Sequence, residues 1–260
     1  MSRELENREK ESAVRRYYGA LRDAWGPQHW WPAETCFEVI VGAHLTQNTA
    51  WTNVERALAN LRAAQVLSVE GIRRVRLSRL ERLIRSSGYF RQKARRLKTF
   101  VVFLDRQYDG SLDRLFSQPT EKLRAELLSL NGVGPETADS ILLYAGSHSV
   151  FVVDVYTRRV LDRHGILPDH SDYEDIRRLF ERSLGSIAVD PPSSPLVWST
   201  TDLRGAAHPP SAISTAPRSA LAQIYNEMHG LIVGVGKNHC GKSQPKCDGC
   251  PLQPFLPCDK

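Results

Sequence analysis

No stretch of this 260-residue chain reaches the roughly 18 consecutive apolar residues that a membrane-spanning helix requires. The first eleven residues, Met1 to Glu11, are mostly charged or polar and lack the apolar core of a secretory signal. Together these absences point to the cytoplasm, a reducing compartment in which disulfides are rare. Cysteine is scarce: the chain has five, which excludes a scaffold stapled throughout by disulfides. Strand signal is equally thin, and no internal repeat stands out. The expected fold class is therefore all-α. The apolar share of 41% and charged share of 25% are ordinary for a globular protein, and the length suits one large domain or two small ones.

Helical spacing of charged and aromatic residues runs over 12–25 and is stopped by Gly26-Pro27. Thr35 to Leu45 is apolar. Gln47-Asn48-Thr49 interrupts it before another helical run, Trp51 to Leu61. Residues 66–86 read as short basic amphipathic helices, Ser86 to Phe90 as a turn and Lys93 to Leu104 as a further helix. Leu112–Phe116 and Thr120–Leu128 are two short helices, and Glu136–Tyr144 another. Residues 189–218 stand apart, with Pro191, Pro192, Pro195, Pro209, Pro210 and Pro217 among Ser, Thr and Ala. Such a composition cannot sustain a helix or a packed core. A surface insertion is expected there, either disordered or a lid.

The net charge of +6 is modest, so its distribution matters more. Between Arg73 and Lys98 eleven basic residues face one acid, Glu81. A stripe of that kind suits a phosphate backbone; the competing reading is a solvated helix face. Leu130-Asn131-Gly132-Val133-Gly134-Pro135-Glu136-Thr137-Ala138 has the pattern of a helix–hairpin–helix turn. Glycine serves where the backbone takes positive φ or approaches a ligand closely. Amides at the start of the following helix favour an anion such as a DNA phosphate. The backbone amides of Gly132, Val133 and Gly134 would hold it, with or without a bound monovalent cation. The short, strand-like run Val152-Val153 then ends at Asp154. That carboxylate is a candidate for chemistry, and equally a helix N-cap ahead of Val155.

Four of the five cysteines, Cys240, Cys247, Cys250 and Cys258, are spaced C-x6-C-x2-C-x7-C. Thiolates so close together in a reducing compartment imply a metal site. Zinc sites usually carry two short knuckles, and here there is a single C-x-x-C, followed by Pro251. An iron–sulfur cluster fits better; zinc and an unligated tail remain the alternatives. Cys36, alone in an apolar run, reads as a buried core thiol.

Hairpin, downstream Asp154 and C-terminal cysteines, in that order, resemble the endonuclease III (helix–hairpin–helix) superfamily of base-excision DNA glycosylases over nearly the whole chain. The resemblance implies a six-helix barrel domain at 34–146. It would be inserted into a discontinuous domain, 1–33 and 147–260, that holds a [4Fe-4S] cluster. It also implies a monomer acting near the nucleoid on double-stranded DNA bound in the cleft between the domains. Gln47 would fill the gap left by an extruded nucleotide. Gly88 and Tyr89, with Arg91 and Lys93, would contact the backbone.

Bifunctional members carry a Lys where this chain has Glu136, and a carboxylate cannot form their Schiff base. Hydrolysis without strand cleavage is therefore expected. Glu136 would be catalytic, or would simply complement the helix dipole. Trp30, Trp31 and Trp51 resemble the 3-methyladenine DNA glycosylase III branch, whose aromatics stack on the flipped base; the competing reading is that they are core tryptophans. Typical members of that branch lack the cysteines found here. Asp154 would stabilise the cationic sugar or orient water. An alkylated purine is already cationic and is favoured by indole faces. Alternatives are uracil, mismatched or oxidised bases, or a non-catalytic DNA-binding scaffold.

Overall fold

The computed structural model describes residues 3–189 and 209–257. Twelve α-helices, named in chain order, account for most of them. They are α1 (Arg3–Trp25), α2 (Cys36–Thr46), α3 (Trp51–Ala63), α4 (Val69–Arg74), α5 (Leu77–Leu83), α6 (Phe90–Tyr108), α7 (Leu112–Phe116), α8 (Thr120–Leu128), α9 (Pro135–Ser140), α10 (Val155–Arg163), α11 (Tyr173–Val189) and α12 (Ala220–Asn238). Among the described residues there is no β-strand, and no helix is long and apolar enough to cross a membrane. The fold is all-α. The chain divides into two compact units: Met1–Pro32 with Ser149–Lys260, and Ala33–His148.

In the unit Ala33–His148, α2 is the central element. Thr35 caps it by accepting the Glu38 amide at 3.1 Å, and its residues from Phe37 to Leu45 are buried. It packs on α3, α6, α9 and the π-helical turn Ile141–Ala145. Helix α6 buries Lys93, Ala94, Leu97, Phe100, Val101, Leu104 and Tyr108. That stripe recurs every three to four residues, as a one-sided helix requires. The helix expected over Glu136–Tyr144 changes character at Ile141, where the π-helical turn begins.

In the other unit, α1 packs on α11 and α12, and α10 on α12. Helix α1 starts well before the apolar spacing does. Its polar first turns carry the pairs Glu4–Arg8 and Glu6–Lys10 at i, i+4, which support a helix that has little to bury. The run Phe151 to Asp154 is extended but joins no ladder. Its amides bond side chains instead, Phe151 N to Glu181 Oε1 at 3.0 Å and Val153 N to Tyr173 Oη at 3.3 Å. The strand-like reading is corrected in that sense. The proline-rich segment needs a second correction. Residues 190–208 lie outside the described residues, but α11 runs into the segment as far as Val189, and 209–218 do pack. Ile213 and Ser214 are buried, Ser211 Oγ donates to the Trp31 carbonyl at 3.2 Å, and Arg218 donates to the Ile213 carbonyl at 2.7 Å.

Candidate active site

In the unit Ala33–His148 the hairpin follows α8. Val133 is buried, and its amide donates to the Leu130 carbonyl at 3.1 Å. That amide is spent on the turn, so it does not join the phosphate-binding set expected of it. The Gly132 and Gly134 amides have no acceptor among the described residues. The two glycines differ. Gly132 has φ 81°, and a Cβ there would overlap the Arg96 side chain. Gly134, the residue before α9, has an ordinary φ of −96°, and a Cβ there would meet nothing. Packing and backbone demand glycine at 132 but not at 134. The open space at 134 faces outward, where a ligand can come close. Glu136 is exposed in the first turn of α9.

Gln47 is bound to this turn. Its amide nitrogen donates to the Gly132 carbonyl and to Thr137 Oγ1, each at 2.9 Å, and its oxygen accepts from Arg96 at 2.6 Å. A buried ion pair anchors the hairpin from behind. Arg124 of α8 meets Asp139 of α9 through two bonds of 2.6 and 3.1 Å, with the Asp139 side chain fully covered. The sequence marks Arg96 only as one member of the basic stripe and gives no sign of its bond to Gln47 or of the Arg124–Asp139 pair. A lone Asp two residues after Thr137 carries no signal of its own.

The turn before α6 has positive φ at Gly88 (66°) and Tyr89 (42°). Tyr89 is 68% exposed, and Arg91 is exposed beside it. Lys93 is a correction. Its ammonium is buried and donates to the carbonyls of Leu45 (2.8 Å) and Ser87 (2.6 Å), so it ties the turn to α2 and does not face a phosphate. Burial, reinforced by the Arg96 charge, lowers its pKa to about 8. The basic stripe is also broken up. Arg73 pairs with Asp105 and Glu70, Arg74 with Glu70, and Lys98 bonds the carbonyls of Arg73 and Val75. Arg74, Arg76, Arg79 and Arg82 line a concavity of about 780 Å³. Trp51 opens α3, half-buried, with its indole N–H on Glu55 at 2.9 Å.

In the other unit, Asp154 caps α10. Its Oδ1 accepts the Thr157 amide at 2.8 Å and the Thr157 hydroxyl at 2.9 Å. Its Oδ2 lies 3.6 Å from His229 Nε2 of α12. Burial by itself would push this carboxyl up; His229 and the Thr157 groups outweigh it and hold the pKa below the ordinary value. His229 was missed in the sequence. The available signal was the polar group Asn226, Glu227 and His229 on a helix that is otherwise apolar there. Trp30 and Trp31 are 6% and 5% exposed, with ring centres 5.6 Å apart. They are built into the core of this unit, which leaves little of either face for a ligand. Lys237 Nζ sits 5.6 Å above the Trp30 ring.

Cys240, Cys247 and Cys250 line one cavity of about 250 Å³ together with Arg163, His164 and His239. Arg163 donates to Cys240 Sγ at 3.1 Å. Burial and the neighbouring thiols push the Cys250 thiol up, against the Leu252 and Gln253 amides aimed at it. Cys258 lies outside the described residues. Cys36 is half-buried at the start of α2.

The family model for HhH-GPD superfamily base excision DNA repair proteins matches residues 41–185. The chain belongs to this superfamily. A Methanocaldococcus jannaschii protein provisionally named a DNA repair glycosylase is 39% identical over 247 residues, 95% of this chain and 96% of that one. The structure is similar to that of H. pylori 3-methyladenine DNA glycosylase MagIII bound to 1,N6-ethenoadenine. The TM-score is 0.68 and the identity 28%, over 88% of this chain and 97% of the other. It shares its fold with a trapped endonuclease III–DNA covalent intermediate, with a TM-score of 0.67 and 20% identity over 93% of each chain. As an HhH-GPD protein, the chain is a DNA glycosylase of base excision repair.

Proposed function

We propose that this glycosylase is monofunctional: it hydrolyses the N-glycosidic bond of a flipped-out alkylated purine, such as 3-methyladenine, in duplex DNA and leaves the strand intact. The observation that carries the proposal is Glu136, standing where a lyase would need an amine; in the other unit, the buried Asp154 carboxylate, held below its ordinary pKa, supports it. Lys93, the buried amine with a lowered pKa, is bound to two carbonyls and offers no nucleophile. The similarity to a glycosylase of 3-methyladenine supports the substrate class.

In the reaction, the Gly132 and Gly134 amides grip a phosphate, and Gln47 leaves the hairpin to fill the vacated stack. Unstacking costs a few kcal/mol. The bond from C1′ to the purine breaks, and its electron pair neutralises the cationic base. Asp154 stabilises the positive sugar left behind. Water adds at C1′ and its proton passes to solvent. Glu136 and Trp51 attract the cationic ring electrostatically.

Cys240, Cys247 and Cys250, with Cys258, would hold a [4Fe-4S] cluster. Among the described residues no three such donors lie close enough together to hold a metal ion; what supports the cluster is the cysteine spacing, with three thiols on one cavity, an Arg163 N–H on Cys240 and amides directed at the Cys250 sulfur. When bound, the cluster supplies a rigid cross-link and a one-electron couple. A brown protein containing iron is the expected result, and a colourless one containing zinc would reject the cluster.

Duplexes bearing methylated purine, ethenoadenine, uracil or an oxidised pyrimidine test the activity. Release of methylated purine, with breaks appearing after alkali alone, is expected. Asp154→Asn should slow release at least ~100-fold while duplex binding persists. A borohydride-trapped protein–DNA adduct, or release of uracil without methylated purine, overturns the proposal.

A further inference from the structure

The two oxygens of Asp154 have separate duties. Oδ1 is consumed by Thr157 as a helix cap. Oδ2 faces the His229 imidazole at 3.6 Å. That is beyond hydrogen-bond reach but within the range where a charge on the ring acts strongly in a dry interior. Both residues are buried, Asp154 at 8% and His229 at 4% exposure.

The imidazole is itself held in place. The Trp30 and Phe151 rings lie 6.2 and 6.4 Å from it. Less than one turn earlier, Asn226 Nδ2 donates to the Trp30 carbonyl at 2.5 Å. At Gly230 a Cβ would crowd Gln28 and Trp30, so α12 lies tight against that loop. Other ionisable groups nearby are engaged elsewhere. Glu227 of α12 accepts the Gln28 amide at 2.7 Å and feels Arg22 of α1 and Arg218. Glu181 of α11 accepts the Phe151 amide and pairs with Arg177, and Tyr173 accepts the Val153 amide.

We propose that His229 is a positioning residue for base release: set 3.6 Å from Asp154 Oδ2, its imidazole is the ionisable partner that keeps a buried carboxylate charged beside a cationic sugar. A carboxylate buried without such a partner takes up a proton, and a neutral acid cannot stabilise the sugar cation. The lowered pKa of Asp154 agrees with this arrangement. The proposal rests on the role given to Asp154 above.

The test uses His229→Gln, which keeps a polar side chain but no charge. In single-turnover base release, its acid limb should move up by about one pH unit, a loss of about tenfold below the limb. A smaller loss is expected at alkaline pH, with duplex affinity unchanged. Independently of any substrate, the Asp154 carboxyl resonance of the free protein should titrate at higher pH in the variant. An unshifted titration or pH profile in a folded His229→Gln overturns the proposal. Should the variant fail to fold, the unmodified protein decides: a His229 ring signal that ignores Asp154 protonation also overturns it. If no lesion is released, the glycosylase assignment fails while the carboxyl titration still judges the pair.

Discussion

Gly132 and Gly134 are the same residue type in one motif, yet the protein needs them for different reasons. At Gly132 the backbone is left-handed and the Arg96 side chain occupies the space of a Cβ. Gly132→Ala should therefore cost about 1–3 kcal/mol and lower the melting temperature by several degrees. At Gly134 the backbone is ordinary and the Cβ position is open. Gly134→Ala should melt within a degree or two of the parent and bind duplex more weakly, because the added methyl stands where a phosphate would approach. Thermal melts and duplex titrations of the two variants check this. Equal melting temperatures would remove the distinction. The motif itself was legible in the sequence; the division of labour within it required φ angles and the position of Arg96.

Among the elements, α8 and α9 set the aim of the hairpin, and the Arg124–Asp139 pair fixes their relation. Removing one partner leaves a buried charge, so Asp139→Ala should destabilise by about 3–5 kcal/mol. Replacing both, Arg124→Met with Asp139→Leu, should recover most of that in a denaturant melt, since desolvation largely offsets the attraction within the pair. A double variant as unstable as the single one would show that the pair does more than compensate itself. Spacing along the chain defines α7 and α8 to the residue, but it gives α1 too short a span because its first turns are polar on every side. Likewise, the basic stripe was legible as composition, but the pairing of Arg73, the burial of Lys93 and the tethering of Lys98 follow from neighbours distant in sequence.

At the scale of the molecule, one compact unit is assembled from the two ends of the chain, and its interior contains two carboxyls of opposite behaviour. Burial pushes Glu227 up to about 7, against the Gln28 amide, Arg218 and Arg22. A raised carboxyl favours the fold while protonated. Its contribution is complete below the unfolded value of 4.5 and is lost as pH rises through about 7. Relative to Glu227→Gln, the parent should lose on the order of 3 kcal/mol between those limits, at about 1.4 kcal/mol per unit. Asp154 acts in the other direction. Its lowered value stabilises the fold above the ordinary Asp range, and that contribution is lost as pH falls through its folded value. Melting curves of both proteins from pH 4 to 8 check the Glu227 contribution. Parallel curves would place that carboxylate on an ordinary titration.

Local chemistry by itself determined the helical class, the glycine hairpin, the carboxylate after it and the cysteine spacing, because each is written in residues adjacent along the chain. Turn geometry, capping and amphipathic period act over a few residues and leave their mark there. What tertiary structure alone decided are the partnerships across long separations: His229 facing Asp154, Gln47 bound to Gly132, Lys93 turned inward, and Trp30 and Trp31 in the core. Burial and electrostatic pairing are properties of the assembled interior, where low dielectric makes a neighbour decisive, and no short stretch of sequence records which neighbour that is.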